Sequence, residues 1–356
     1  MPRNDEPGAP PSDPSAETPP PTKTPRDPLL DNARAILITL VVVGHAIESM
    51  DTELSNIIYT WIYSFHMPAF VAISGFLSRS YNNEPKQVAR LLTGLLVPYL
   101  IFQTLHALEQ DLLKGNDIGF TLWDPVWTLW FLMALIAWRL LTPLLRTLRY
   151  PLIFAVTISV LAPLDDGLDS TLSLARILSF LPFFTLGLLC TPEFLGKVRK
   201  WRGARPVGIA ALVGALLFAA YTHEMFSTSI FTMSLSYDER DMSALYGVTT
   251  RVLALASGTV LTAAIIMATP RRNYWFTVIG KRSLTVYLVH SMLLEFPRQL
   301  DWFVDLSGSG VTVLVILGAV LLTLLLSSGP VDRALSWLTS PPIERFVVAP
   351  RTVQRR

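Results

Sequence analysis

The sequence has little charge and almost no cysteine, and both shortages restrict what the protein can be. Only 16% of its 356 residues are charged, 51% are hydrophobic, and the mean hydropathy is +0.44. A water-soluble domain of this length carries more charge. The single cysteine, Cys190, cannot form an internal disulfide, and no cluster of Cys and His has the spacing of a zinc site. We therefore expect a membrane protein that is held together by helix packing and contains no metal.

The signatures of common soluble enzymes are missing as well. The chain contains no glycine-rich phosphate loop, no GxSxG and no HExxH. A net charge of only +2 argues against nucleic acid as the main partner. At the amino terminus no basic segment leads directly into an apolar core with a cleavage site, so we do not expect a secretory signal peptide. The function must then reside in the apolar part of the chain.

Proline is concentrated at the amino terminus and suggests the domain limits. The first 28 residues contain 10 of the 26 prolines and almost no large apolar side chain. Such a segment cannot bury enough surface to offset the entropy of folding. We predict a disordered cytoplasmic tail over residues 1–28, one transmembrane domain over 29–340 and a basic cytoplasmic tail over 341–356.

The apolar windows predict an all-α integral membrane protein, a polytopic bundle of about ten transmembrane helices. Each window approaches the length that spans a bilayer as helix. The fifth is short and could instead be re-entrant, which makes nine spans the alternative. The windows lie near residues 34–50, 57–78, 88–107, 126–145, 151–164, 174–190, 207–222, 246–268, 276–296 and 311–328.

The charged residues of the loops agree with this map. Lys and Arg cluster in alternate loops, around residues 79–90, 146–149, 197–205 and 271–282, whereas acidic residues dominate the loops between them. Basic residues gather on the cytoplasmic side of a bacterial inner membrane protein. The alternation therefore predicts a multi-pass protein of the inner membrane with both termini in the cytoplasm.

An ionisable pair follows the apolar run LITLVVVGHAIES at residues 37–49. In a helix that begins near Arg34, His45 lies about 16 Å along the axis, and Glu48 follows at i+3 on the same face. Ionisable groups at that depth face a bundle interior or a water-filled cavity and are functional candidates. A carboxylate beside a histidine suits a general base, because it fixes the tautomer of the imidazole. The simpler interpretation is a histidine that only hydrogen-bonds a neighbouring helix.

Longer strings around this pair suggest a family. The string RDPLLDNARAILITLVVVGHAIE, followed by YSFHMPAFVAISGFL, resembles the amino-terminal signature of the membrane acyltransferase 3 family, in particular its sugar O-acetylases similar to fucose 4-O-acetylase. KQVARLLTGLLVPYL, TLWFLMALI and GKRSLTVYLVHSMLL are similar to later motifs in the family's order. The resemblance runs from about residue 26 to 340.

The resemblance implies an integral membrane enzyme that takes an acyl group from acyl-CoA at the cytoplasmic side. The acceptor is the hydroxyl of a cell-surface glycan or its lipid-linked precursor, or in some members a small secondary metabolite. The essential histidine of the family falls on His45 and its arginine on Arg34. Where the family often has two arginines at i, i+3 before the third helix, this chain has Lys86 and Arg90 at i, i+4.

The residues are compatible with acetyl transfer from acetyl-CoA to an alcohol. A sugar hydroxyl is a poor nucleophile at neutral pH and needs a base, which His45 supported by Glu48 would supply. CoA carries several phosphate charges that need cationic partners. The candidates are Arg34, Arg79, Lys86 and Arg90. Their alternative role is ordinary positive-inside topology with snorkelling side chains.

Four more residues are candidates for lining the substrate cavity: His66, Trp130, Tyr287 and His290. His66 precedes Pro68 by two residues, and it could instead bond a carbonyl that the proline leaves free. His290 has an equally plausible structural role. Trp127 and Trp130 are first of all expected in the interfacial belt of aromatic residues, with sugar stacking as the alternative for both.

Two smaller expectations concern packing and exposure. Ser74 and Gly75, in ISGF, predict a close contact between helices. His106, near the outer end of the third window, is expected at the solvated surface.

A function of a different class also fits the ionisable pair. His45 and Glu48 could relay protons in a multi-span transporter or flippase. Many transporters contain two repeated halves with matching broken helices. The carboxy-terminal half holds no second copy of the LDNARA…GHAIE pattern, which favours the membrane acyltransferase.

Overall fold

The fold is known from a computed structural model that describes residues 27–114, 121–165, 167, 171–302, 304 and 308–342. Within those ranges all regular secondary structure is helical and no strand occurs. The tails predicted at 1–28 and 341–356 lie outside the described residues, except for two residues of each.

Sixteen α-helices follow one another in the described part of the chain. They are α1 (Pro28–Ile47), α2 (Glu53–Tyr63), α3 (His66–Leu77), α4 (Pro85–Leu91), α5 (Val97–Lys114), α6 (Trp130–Thr147), α7 (Pro151–Leu161), α8 (Leu174–Leu189), α9 (Pro192–Lys200), α10 (Ala204–Thr222), α11 (Ser229–Thr232), α12 (Ala244–Ala268), α13 (Thr277–Lys281), α14 (Ser283–Gln299), α15 (Ser309–Leu326) and α16 (Gly329–Thr339).

Seven helical segments of the described residues are long and apolar enough to cross a membrane, and an eighth is added if the bent pair α8 and α9 counts as one span. The fifth predicted window is the short apolar helix Pro151–Leu164. The ninth is divided at Arg282 between α13 and α14. The prediction of an all-α, multi-span membrane protein is thus confirmed, whereas the count of about ten and the side of the termini stay predictions.

Helix α1 is the central element, because it packs against α2, α3, α13, α14 and α15. It begins at Pro28, and the Asp27 side chain accepts a hydrogen bond from the backbone N–H of Leu29, which caps its first turn. Buried Asn32 donates to the carbonyls of Pro270 and Arg272 at 2.9 and 2.8 Å and accepts from Thr277 at 2.6 Å. These bonds fix the start of α1 against the segment that leads into α13.

Helices α3 and α8 approach each other closely through glycine. A Cβ on Gly75 would collide with the backbone carbonyl of Phe184, and one on Gly187 with the carbonyl of Ala72. Small residues let helix backbones meet in a membrane, where apolar burial alone does not drive association. The close contact predicted at Ser74 and Gly75 is therefore present at Gly75.

The third span is continuous from α4 to α5 but contains a π-helical turn at Leu92–Leu96. Beyond this turn, Tyr99 donates to the carbonyl of Leu122 at 2.7 Å. Gln103 donates to the carbonyls of Thr121 and Asp124 and accepts from the N–H of Val126. The face of α5 thereby holds the loop that leads to Trp127 and α6.

Candidate active site

A cavity of about 220 Å³ extends along one face of α1. Arg34, Ile38, Val41 and His45 line it, at spacings of four, three and four residues, and about 16 Å of helix separates the first from the last. Residues of α3, α6 and α14 form the other walls. We call this space the His45 cavity; it is apolar over most of its length, with cations at one end and an imidazole at the other.

The imidazole of His45 is held by a carboxylate. Its Nδ1 lies 3.2 Å from Oε2 of Glu48 and 3.4 Å from the hydroxyl of Tyr63. An ionised carboxylate can only accept, so the proton resides on Nδ1 and the lone pair of Nε2 is left to accept a proton from another group. The expected i, i+3 contact is therefore formed. It gives His45 the tautomer that a general base needs.

A tryptophan orients the same carboxylate. Nε1 of Trp127 donates to Oε2 of Glu48 at 3.2 Å, and the indole ring lies 4.7 Å from the ring of His45. The guanidinium of Arg298, which is paired with Glu295, lies over the indole at 4.7 Å. Trp127 has a backbone φ of +40°, a left-handed conformation that costs energy in a bulky residue. The surrounding contacts hold this strained residue with its N–H directed at Glu48.

Three of the four predicted cavity residues lie beside His45. The ring of His290 stacks on His45 with 5.6 Å between centroids, and its Nδ1 donates to the carbonyl of Val286. Tyr287 lines the cavity and donates to the carbonyl of Thr128. Trp130 also lines the cavity and is 9% exposed. The interfacial belt is thus the wrong interpretation for Trp130, since α6 turns its ring toward the bundle interior.

The fourth, His66, lies one layer behind. Its side chain is buried, Nδ1 is 2.8 Å from the carbonyl of Ile62, and its ring is 4.6 Å from the ring of Tyr63. Tyr63 therefore stands between His66 and His45. His66 thus has a structural bond to a backbone carbonyl. This carbonyl belongs to Ile62, which also accepts from the N–H of Phe65, and not to Ser64, whose carbonyl Pro68 leaves free.

The predicted donor-binding cations occupy different places. Arg34 lines the cavity and pairs with Asp31, and Arg139 of α6 joins it there although the sequence analysis did not select it. Lys86 and Arg90 are exposed on α4 and do not line the cavity. Arg79 does not line the cavity either; its guanidinium lies over the ring of Phe76 and donates to the carbonyl of Cys190.

His106 is not at the surface, so that expectation is wrong. Its side chain is fully buried, Nε2 lies 3.0 Å from the hydroxyl of Ser291, and Nδ1 lies 3.5 Å from Glu109. The third span ends later than the sequence window, because α5 continues to Lys114. Position 106 therefore faces α14 inside the bundle.

Comparison with known proteins shows which family the chain resembles. The chain is 24% identical over 349 residues to nodulation protein NolL of Mesorhizobium japonicum, which covers 88% of the chain and 89% of that protein. It is 31% identical over 183 residues to nodulation protein NolL of Sinorhizobium fredii, covering 46% and 48%. No solved structure matches.

The family model of the acyltransferase domain, acyltransferase 3, matches residues 27–328. That range includes every residue named above in the His45 cavity, from Arg34 to Tyr287. Since the match covers most of the sequence, the chain belongs to the acyltransferase 3 family and is a membrane O-acyltransferase.

Proposed function

We propose that the protein transfers an acetyl group from acetyl-CoA to a hydroxyl of a cell-surface glycan or its lipid-linked precursor. The observation that carries the proposal is the His45 cavity, which joins a cationic end to a histidine and carboxylate pair. We further propose that it acts in the bacterial inner membrane, with the cationic end toward the cytoplasm. A small secondary metabolite is the alternative acceptor. The assignment to the acyltransferase 3 family argues against the other hypothesis, a transporter that relays protons through His45.

The donor enters at the cationic end in this proposal. Guanidinium groups suit the phosphates of CoA because they offer several donors in a fixed plane, and Arg34 and Arg139 lie at that end. Lys86 and Arg90 are exposed on the helix that begins the third span and would add long-range attraction. The narrow apolar stretch would take the uncharged arm of CoA and place the thioester at His45. No metal takes part in this proposed route.

His45 acts as general base on the acceptor. Its Nε2 takes the hydroxyl proton while the acceptor oxygen attacks the thioester carbonyl carbon. The C–S bond then breaks, the sulfur of CoA leaves as thiolate, and the imidazolium returns the proton to that sulfur. Glu48 holds the tautomer and stabilises the imidazolium through the Nδ1 contact.

The acceptor reaches His45 from the Glu48 side. The side chain of Glu48 is 30% exposed and that of His45 is 15% exposed, whereas the donor fills the space toward Arg34. An acceptor on that side meets the partly exposed ring of Tyr59, which stacks on the buried ring of Tyr63. Aromatic faces of this kind suit a sugar ring, which presents apolar C–H groups as well as hydroxyls.

The first experiment measures binding of acetyl-CoA to detergent-purified protein by calorimetry. We expect wild-type binding in the micromolar to submillimolar range and a loss of at least about tenfold in Arg34→Ala, which corresponds to about 1.4 kcal/mol. Arg139→Gln should weaken binding similarly and leaves the Asp31 pair intact. Arg149→Ala, which removes an exposed arginine outside the cavity, should bind like wild type. No binding by folded wild-type protein would refute the donor assignment.

A second experiment separates donor binding from chemistry. His45→Ala should retain acetyl-CoA binding and lose transfer from radiolabelled acetyl-CoA to the glycan fraction of membrane vesicles. Glu48→Gln should lower the transfer rate roughly 10²- to 10⁴-fold, the range for loss of a general base or its support. Transfer at the wild-type rate in folded His45→Ala protein would remove this residue from the reaction.

A further inference from the structure

A second, larger cavity lies on the other side of α3. It has a volume of about 550 Å³, and side chains of α1, α3, α8, α9 and α12 form its walls. We call it the lateral groove; Leu30, Phe76, Leu195, Val198, Ile266 and Met267 are among its lining residues. It shares no lining residue with the His45 cavity, so α3 is a wall between the two.

The interior of the lateral groove is apolar, and its rim faces outward. Among the described residues, no charged side chain lines it. The rim residues Leu189, Phe194 and Trp201 are 47%, 60% and 50% exposed. Thr262 lines the groove, is 6% exposed, and its hydroxyl oxygen has no hydrogen bond partner among the described residues. A buried hydroxyl without a partner is costly, and it offers a hydrogen bond donor to an occupant.

Helix α9 forms part of the rim of the groove and has the character of a helix that lies in the membrane interface. The axis of α9 is bent 79° from that of α8, so the chain leaves the bundle and continues sideways. Phe194, Leu195, Val198 and Trp201, at spacings of one, three and three residues, line the groove from one face of this segment. An amphipathic helix with basic and aromatic residues is typical of a segment that lies in the membrane interface.

Cations are concentrated at this one end of the groove. The segment 197–205 contains five Lys and Arg residues, of which Arg199 pairs with Asp27. The other four are exposed and form no ion pair with any described residue: Lys197, Lys200, Arg202 and Arg205. Arg79 lies near the start of α9, over the ring of Phe76 at 3.8 Å, and donates to the carbonyl of Cys190 at 3.2 Å. The only carboxylate of α9 is Glu193, in its first turn.

We propose that the lateral groove binds an anionic glycerophospholipid of the surrounding membrane. One acyl chain lies in the apolar groove and the phosphate lies among Lys197, Lys200 and Arg202. The groove is complementary to such a lipid: its apolar interior suits the acyl chain, and its basic end suits the negatively charged phosphate. A cluster of basic residues on an amphipathic helix is the usual signature of anionic lipid binding. The proposal is independent of the reaction at His45.

The single cysteine allows a test on the unaltered protein. Cys190 lines the lateral groove, so a bound lipid should shield its thiol from a maleimide. The probe lipids are dioleoyl phosphatidylglycerol and dioleoyl phosphatidylcholine, added to delipidated protein in detergent. At a phosphatidylglycerol concentration ten times its Kd, we expect alkylation to slow about tenfold, with much weaker protection by phosphatidylcholine. Protection by neither lipid would show that the groove is not a lipid site.

Charge variants test the head-group contact. The triple variant Lys197→Gln/Lys200→Gln/Arg202→Gln should lose the preference for phosphatidylglycerol, because its cationic end is gone. The control Arg149→Gln/Arg333→Gln removes two exposed basic residues outside the groove and should keep the preference. Equal protection by both lipids in the wild type, or loss of the preference in the control, would refute a specific anionic site. If a polyprenyl phosphate protects Cys190 more strongly than phosphatidylglycerol does, the proposal of a glycerophospholipid is refuted and the occupant is a polyprenyl phosphate.

Discussion

Replacing Trp127 by phenylalanine removes one hydrogen bond donor from the site and leaves an aromatic ring in its place. The indole N–H donates to the carboxylate that holds His45, at 3.2 Å. A hydrogen bond to a charged group contributes about 1.5–3 kcal/mol, which equals about 10- to 150-fold in rate if the full amount is lost in the transition state. Glu48 is 30% exposed, so water replaces part of the lost bond. We expect the lower end, a decrease in kcat of about tenfold.

The assay for Trp127→Phe must separate kcat from donor binding. The proposed cationic contacts lie about 16 Å from His45, so the KM for acetyl-CoA should stay within about twofold of the wild type while kcat falls. The matched control is Trp123→Phe, in the same loop, whose side chain is 61% exposed and which should transfer at the wild-type rate. If Trp127→Phe is folded and keeps the wild-type kcat, the indole does not position the carboxylate.

Three further substitutions test packing and the site. Gly75→Ala should destabilise the protein by about 1–3 kcal/mol, seen as a lower Tm, because the new Cβ would meet the backbone of the neighbouring helix. The control Gly214→Ala, whose new Cβ would have no atom within 4 Å, should leave Tm equal or higher. Asn32→Ala removes the donor to two carbonyls and the acceptor of the Thr277 hydroxyl, and it should lower Tm far more than Thr39→Ala, which loses one bond within its own helix. Similar effects would contradict the anchoring role. Tyr287→Phe should lower kcat about two- to tenfold. In the double variant with Trp127→Phe the losses should be less than additive, because both side chains hold the turn at Trp127 and Thr128. Strictly additive losses would show that the two residues act independently.

The part of the site that lies on one helix could be predicted from the sequence. Helical spacing alone brings Glu48 to His45 and places Arg34 on the same face three turns earlier, and the structure has both arrangements. Local geometry decides these contacts, and tertiary packing does not change them. The close approach at Gly75 is of the same kind, since a small residue in an apolar helix has few other uses.

The rest of the site depends on which helix faces meet, and no local pattern shows this. Trp127 contacts Glu48 although the two residues are 79 positions apart in the chain. Its positive φ could not be predicted, because tryptophan rarely adopts that backbone conformation. Arg139 is different, because an arginine within an apolar window is a functional candidate by the same rule that selected His45. Arg79 shows what the sequence cannot decide: a basic residue near a helix end can bind a ligand or pack on its own helix, and here it lies over Phe76 and lines neither cavity.

The π-helical turn determines where the third span can lose one residue without a change in register. A π turn closes its hydrogen bond over one more residue than an α turn, so a single deletion within Leu92–Leu96 would restore a regular helix and leave the residues after it in register. A deletion a few positions later would rotate everything beyond it by about 100°, and Gln103 would no longer reach the loop before Trp127. Among related sequences, we therefore expect one-residue gaps in this span to fall within those five positions.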